Sequence, residues 1–357
     1  MFHSQTGVGA LYGLGAAVLF GLSTPILKLF LPVYDLLPVV GLLYTGAGIG
    51  LGFLEIFLKS TTSPASSQAE TPVQTGDIGL LLGMILTGGI LGPILMLYGL
   101  ERIPAVVGSL LLNLEAPLTI LLAVTLFREH LGKREVGAAM CIFVGALLLS
   151  YGSGAIYGDW LGVISVSGAC LCWAVDNNLT QGLSLRDPLA VARIKGLSAG
   201  GFSLGLSWLM GYEFPDMTAI SMILVAGFVG YGISVVLDIY ALRILGAARE
   251  AAFFATAPFI GALAAVPILG EHWSVAEYLA GAAMAIGVSI LLREHHNHLH
   301  VHTNMEHDHV HTHTHTDPHH QHQHEEEVVG SHAHWHRHLP LQHDHGHVSD
   351  LHHRHEH

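Results

Sequence analysis

The chain has 357 residues, 51% hydrophobic and only 11% charged, with a formal net charge of −13. Soluble domains carry about 25% charged residues, so a soluble globular enzyme is excluded for most of the chain. An acidic balance with no basic patch excludes nucleic acid as a partner.

The N-terminus, Met1-Phe2-His3-Ser4-Gln5, lacks a basic segment, and the apolar stretch after it is too long for a signal sequence. A retained first helix is therefore expected. A membrane-spanning helix needs about 20 mostly apolar residues. Ten stretches qualify: 7–31, 35–58, 77–99, 103–127, 134–153, 159–182, 188–211, 217–242, 247–270 and 275–293. The expected fold is an all-α membrane protein of ten helices. The longest connection, Lys59 to Gly76, is rich in Ser, Thr and Pro and reads as a surface loop.

The chain repeats itself. Tyr98-Gly99-Leu100 recurs as Tyr240-Ala241-Leu242, Ala116-Pro117 as Ala257-Pro258, Glu129-His130 as Glu271-His272, and Gly137-Ala138-Ala139-Met140 as Gly281-Ala282-Ala283-Met284. The offsets all lie between 141 and 144 residues. Two five-helix halves follow, residues 7–153 and 159–293. An odd number of helices per half inverts the second half in the membrane. Loop charge agrees, because cytoplasmic loops collect Lys and Arg. With the N-terminus inside, inner loops and ends hold Lys59, Arg128, Lys133, Arg134, Arg186, Arg243 and Arg293, and outer loops hold only Arg102. Both termini are expected in the cytoplasm and the protein in the plasma (inner) membrane. Inverted repeats suit alternating access around a site between the halves.

These spans, the two Glu-bearing connections and a Pro in the fourth and ninth stretches resemble the EamA family of the drug/metabolite transporter superfamily. The resemblance covers residues 7–293. The segments Asn113-Leu114-Glu115-Ala116-Pro117 and Cys172-Trp173-Ala174-Val175-Asp176-Asn177-Asn178-Leu179-Thr180 are similar to a branch that often ends in His-rich tails. The resemblance implies secondary transport without ATP, no enzymatic activity and no required cofactor. It leaves the substrate open. No Walker motif is present, in keeping with this.

Ionisable groups at membrane depth are costly and become functional candidates. Glu115 lies at the midpoint of its stretch, with Asn113 two residues earlier. It reads as a substrate ligand or proton carrier, or as a protonated carboxyl bonded to a neighbouring helix. Asp176-Asn177-Asn178 cover most of a helix circumference, so at least one faces a cavity or a partner helix. They read as oxygen ligands or as a packing clamp. Asp238, Arg193, Lys195, Glu55, Arg249 and Glu250 fall toward cytoplasmic helix ends, where snorkelling explains most of them. Arg249 and Glu250 are the exceptions, because they precede Phe253-Phe254-Ala255-Thr256-Ala257-Pro258, the repeat partner of the Glu115 segment. Lys28, near the outer end of the first stretch and three residues after Pro25, reads as an interfacial anchor or as a guard of the outer vestibule. Pro117 and Pro258 are the expected helix breaks. Cys170 and Cys172 offer soft thiolates that suit Zn or Cu(I), but two residues apart they point about 200° from each other on a helix, which favours packing residues.

Residues 294–357 hold 25 of the 28 histidines. This tail has 2 basic and 10 acidic residues, against 12 and 17 in residues 1–293. It has no helical apolar period, so disorder is expected without metal. His307, His309, His311, His313, His315, His319, His320, His322 and His324 are the densest ligand set. Imidazole suits Zn, Ni, Co and Cu(II), and no fixed spacing closes one tetrahedral site. Near pH 6.5 imidazole also titrates, which makes the tail pH-responsive.

Three functions fit these residues. The first is a secondary transporter of a divalent transition metal ion or metal complex, with Glu115 and Asp176 in its site and the tail as a cytosolic metal buffer or sensor. The second carries an organic, amino acid-like metabolite, with a regulatory tail. The third is a membrane-anchored metal buffer, which the repeat argues against. The expected partners are the lipid bilayer and a small-molecule or metal-ion substrate. A homodimer stays open.

Overall fold

The computed structural model describes residues 2–61, 72–127, 133–152, 155–183, 186–245, 253–291, 296–302, 305–311, 332–338 and 341–347. Each of the ten apolar stretches carries helix. The elements are α1 (Phe2–Lys28), α2 (Leu36–Thr61), α3 (Ile78–Met84), α4 (Gly92–Arg102), α5 (Ala105–Leu111), α6 (Glu115–Phe127) and α7 (Lys133–Gly152). After them come α8 (Ala155–Thr180), α9 (Pro188–Leu209), α10 (Met217–Gly227), α11 (Ser234–Leu245), α12 (Ala257–Leu269) and α13 (Val275–Leu291). Among the described residues up to Leu291, all regular structure is helical.

Local chemistry sets the ends. Asp187 caps α9 by accepting from the amides of Leu189 (2.9 Å) and Ala190 (3.4 Å), with Pro188 in the first turn. Asp216 caps α10 through Thr218 N (2.8 Å) and Ala219 N (3.1 Å). Gly270, at φ 70°, ends α12 in the left-handed region open to glycine.

Six helical runs are long and apolar enough to cross a membrane: Gly7–Lys28, Leu36–Phe57, Thr75–Arg102, Ala105–Leu122, Asp159–Thr180 and Met217–Ala241. Val136–Leu149, Ala257–Leu269 and Val275–Ile290 are shorter apolar helices. Large apolar side chains such as Leu11, Phe53, Leu82, Trp208 and Leu279 are exposed along the outside. In water such a surface would aggregate; against lipid it costs nothing.

The long runs are interrupted at matching places. A π-helical segment, Ile85–Leu91, joins α3 to α4, and another, Phe228–Ile233, joins α10 to α11. Their starts lie 143 residues apart and their ends 142, so the break belongs to the repeat. A 3₁₀ turn, Leu112–Leu114, separates α5 from α6 just before Pro117, which has no N–H to give the Asn113 carbonyl the usual i−4 bond. In the second half a turn at Ala255–Thr256 precedes α12, which starts at Ala257-Pro258. The two prolines expected to break helices do so. A non-helical Asp159 (φ −154°, ψ 84°) kinks the start of α8.

The helices pack as two interleaved groups. In one, α1 packs on α11 and α12, and α2 on α10. In the other, α8 packs on α4 and α6, and α9 on the first π segment. Each group therefore takes helices from both halves. The groups meet along α2 and α9 and along α5 and α12, while α7 and α13 pair beside them. At the first seam Gly48 and Gly196 bring the α2 and α9 backbones together; a Cβ on Gly196 would lie 2.8 Å from Gly48 N.

The tail contains four strands, β1 (His296–His302), β2 (Met305–His311), β3 (His332–His338) and β4 (Leu341–His347). β1 pairs antiparallel with β4, and β2 with β3. This differs from the expectation of a tail without secondary structure. Each ladder has only two strands, an arrangement marginal in water by itself.

Candidate functional site

Pro93 creates the first polar feature at the centre of the bundle. In the π segment the bond pattern runs from residue i to i−5, as Gly92 N to Thr87 O illustrates. The next acceptor in that series is Gly88 O, but its donor would be Pro93, which has no N–H. The orphaned carbonyl takes side-chain donors instead: Tyr44 Oη at 2.8 Å and Trp173 Nε1 at 3.3 Å. Leaving it bare would cost about 1–3 kcal/mol. Pro93 thus draws a tyrosine from α2 and a tryptophan from α8 to one point.

Beside that point lies an ion pair. Lys195 Nζ, on α9, donates to Asp176 Oδ2, on α8, at 2.5 Å, and the two side chains are 19% and 9% exposed. The other carboxylate oxygen, Asp176 Oδ1, is buried and accepts no hydrogen bond from the described residues. Gly88 makes room for the carboxylate, since a Cβ there would collide with it, and a Cβ on Gly89 would meet Ala199. The sequence places Lys195 among interfacial residues. The structure instead gives it a buried partner, which 19 residues of separation and a helix boundary hide from periodicity.

Aromatic rings complete the surroundings. Phe20 of α1 packs against Trp173, Tyr231 and Phe254 at centroid distances of 6.4, 5.5 and 5.4 Å, and Tyr44 packs against Tyr231 at 5.6 Å. Sequence reasoning misses all five, because aromatic residues on apolar helices read as core.

Glu115 opens α6 and accepts from Asn177 Nδ2 at 2.7 Å. Asn178 Nδ2 reaches its own helix at Ala174 O (2.8 Å) and α6 at Thr119 O (3.3 Å). Asp176, Asn177 and Asn178 therefore all engage partner helices, Asp176 toward α9 and the asparagines toward α6. Asn113 is buried and turns elsewhere, donating to Leu110 O at 2.9 Å and lying 3.9 Å from Met284 Sδ on α13. It does not join Glu115. Cys170 Sγ donates to Leu111 O at 3.5 Å and is buried, while Cys172 is half-buried, in keeping with separate packing roles.

Arg249 and Glu250 lie outside the described residues, as do His313, His315, His319, His320, His322 and His324. His307, His309 and His311 lie on β2, opposite His336, His334 and His332 in the ladder. Among the described residues, no three His, Cys, Asp or Glu side chains gather closely enough to hold a metal ion.

Further polar contacts tie the ends of the bundle. At one end Glu271 accepts from Ala105 N (2.7 Å) and Val106 N (2.8 Å), with Lys28 Nζ 3.8 Å from its Oε1. Arg102 pairs with Asp159 at 2.8 Å, and Tyr34 Oη donates to Asp216 Oδ2 at 2.5 Å. That bond holds the Asp216 carboxyl below its ordinary pKa, helped by the amides of Ala219 and Thr218, and raises the Tyr34 hydroxyl. At the other end Arg186 pairs with Asp77 at 2.8 Å, and Arg193 pairs with Glu55.

The comparisons with known proteins agree with this architecture. The EamA-like transporter family model matches residues 7–151 and again 160–293, so each half is one copy of the unit. A protein of Methanothermobacter thermautotrophicus, described as an uncharacterized transporter, is 30% identical over 292 residues, covering 77% of this chain and 83% of that one. A solved crystal structure shares the fold at a TM-score of 0.57, with 17% identity over 80% of this chain and 98% of that one. Two copies of the family unit and a transporter relative spanning both settle the class: the chain belongs to the EamA-like transporter family, within the drug/metabolite transporter superfamily, and is a multi-pass membrane transporter of small solutes.

Proposed function

We propose that the chain is an ATP-independent carrier of a small polar organic solute, binding it beside the Asp176–Lys195 pair at the centre of the bundle. In this reading ten helices span the inner membrane as two inverted halves, and both termini and the tail face the cytoplasm. The observation that carries it is the buried ion pair set against the Pro93-orphaned carbonyl and a cluster of five aromatic rings. Such a pair is neutral overall. A bare divalent cation is drawn to excess negative charge with several oxygen or nitrogen ligands. A neutral pair offers one cation and one carboxylate, which suits a solute carrying its own donor and acceptor, and aromatic walls give apolar grip. The matched breaks in the two halves support alternating access, since irregular backbone at membrane depth is tolerated where it is buried in protein or lines a cavity.

The test is uptake by full-length protein in proteoliposomes, with a panel of labelled amino acid-like and other polar metabolites. Lys195→Met is expected to lower uptake of the accepted solute by about tenfold or more, the cost of a charged contact of about 1.5–3 kcal/mol. Uptake unchanged in Lys195→Met sinks this site.

The tail supports a second reading, in which a divalent transition metal is the cargo and Glu115 and Asp176 contact it. Twenty-five histidines in 64 residues are a dense ligand array, and the ladder register sets His307, His309 and His311 opposite three more. Metal content of cells would be compared for the intact chain, a truncation after Arg293 and Glu115→Gln. A cargo role predicts that Glu115→Gln changes metal content with the tail intact; a buffering role predicts that only truncation does.

A further inference from the structure

We propose that Lys28 and Glu271 form the gate that closes one end of the transport pathway, a proposal that rests on reading the chain as a carrier with two alternating states. A solute passing through the centre must move between the two helix groups. At the end marked by the α12–α13 turn, the groups are joined by polar contacts centred on one carboxylate. Helix α5 begins after Pro104, a residue with no side chain able to cap it. Its first amides would otherwise be orphans, because the first turn of any helix has no internal acceptors. Glu271, from the opposite group, supplies them: Oε1 takes Ala105 N at 2.7 Å and Oε2 takes Val106 N at 2.8 Å. Lys28, the last residue of α1, donates to Ile103 O just before α5 and stands 3.8 Å from Glu271 Oε1. A carboxylate at a helix N-terminus beside an ammonium is favourable on both counts.

This clasp suits a gate better than apolar packing would. Water can replace each of its bonds when the end opens, so separation carries no large penalty, and the bonds re-form on closing. Gly270, in the left-handed conformation, turns the chain so that Glu271 reaches back over α5. At the opposite end Arg193 of α9 pairs with Glu55 of α2, again across the two groups. One clasp at each end is what alternating access requires.

Ser109 reports on the state of the gate. It lies one turn inside Val106 on α5, is fully buried, and faces α12, where a Cβ on Gly261 would be 2.9 Å from its Oγ. In full-length protein with Cys141, Cys170 and Cys172 replaced by Ala, Ser109→Cys would be labelled with a membrane-impermeant maleimide. Right-side-out and inside-out vesicles distinguish the two faces. Glu271→Gln and Lys28→Met are expected to raise the labelling rate about tenfold from the face bearing residue 271, as the closed population falls. Val191→Cys, buried near the other end, should label at an unchanged rate. Lys28→Met leaves the Glu271 cap in place, so it serves if Glu271→Gln fails to insert. Exchanging the charges (Lys28→Glu with Glu271→Lys) should not restore closure, because a lysine cannot accept the α5 amides. Unchanged labelling at position 109 overturns the gate, and so does an equal rise at 109 and 191, which marks general loosening. Labelling needs no substrate, so a failed gate with intact uptake leaves the carrier reading standing, and the reverse also holds.

Discussion

The two π segments are the same backbone device with different chemistry around it. Both interrupt a long helix at equivalent positions of the two halves. In the first, Pro93 strips Gly88 O of its donor, Tyr44 and Trp173 fill the gap, and the Asp176–Lys195 pair sits alongside. In the second, position 235 is Val, not Pro, and the glycine face at Gly230 meets Ser23, a hydroxyl bonded to its own helix at Phe20 O (2.6 Å). Duplication kept the hinge-like backbone in both halves, while the proline-orphaned carbonyl with the Asp176–Lys195 pair alongside is found at the first. In the proposed reading the pathway is symmetric in shape and asymmetric in binding chemistry, and the difference can be tested residue by residue.

The largest effect should come from breaking the pair on one side. Asp176→Asn leaves the Lys195 ammonium buried without a counter-ion, a loss of about 3–5 kcal/mol for a buried pair. Thermal unfolding in detergent should show it as a much lower midpoint than that of Ser23→Ala in the other half. Equal midpoints would erase the asymmetry.

The glycines come next. Gly88→Ala forces a methyl to 2.2 Å from the Asp176 carboxylate, whereas Gly230→Ala brings one to 2.9 Å from Ser23 Cβ, a milder overlap that α1 relieves by a small backbone shift. Uptake should fall severalfold in the first and less in the second.

Smaller again is the Gly88 carbonyl. Tyr44→Phe removes the shorter of its two donors and should cost about 1 kcal/mol. Pro93→Ala supplies an amide able to serve that carbonyl, so the Tyr44→Phe penalty should shrink in a Pro93→Ala background. A double-mutant cycle on unfolding midpoints measures this coupling.

The smallest effect lies outside the membrane, at Tyr34 and Asp216. The folded pKa of Asp216 is depressed, so its contribution is present above the unfolded value of about 3.9 and is lost as pH falls through the folded value. Tyr34→Phe should lower stability slightly at neutral pH, flatten the acid limb and converge on wild type at low pH. A steeper acid limb would contradict the assignment.

Much of the fold was legible because it rests on long apolar runs and on repeated short motifs. Pro117 and Pro258 announced their breaks, since proline acts locally on its own helix. The π segments did not show, because glycine in an apolar stretch reads as close packing and the register change depends on neighbouring helices. The site was legible in part. Asp176, Asn177 and Asn178 stood out by polarity, and all three engage partner helices. Asn113 also stood out, yet it turns away toward Met284. Lys195, near a helix start, reads from sequence as a snorkelling residue; only packing of α9 against α8 reveals its partner. Glu271 carried a repeat motif, but its role as a cap for α5, 166 residues away, is a tertiary fact with no local signal.

The most direct test of the central claim replaces the charged pair with apolar groups of similar size. Asp176→Leu with Lys195→Met removes both charges together and so avoids stranding either one, and such swaps often preserve folding. The double variant should insert, remain monodisperse and unfold near the wild-type midpoint, yet transport the accepted solute at least about a hundredfold more slowly in proteoliposomes, a loss of two charged contacts. Transport at the wild-type rate by a folded double variant would contradict the assignment of the Asp176–Lys195 pair as the binding centre.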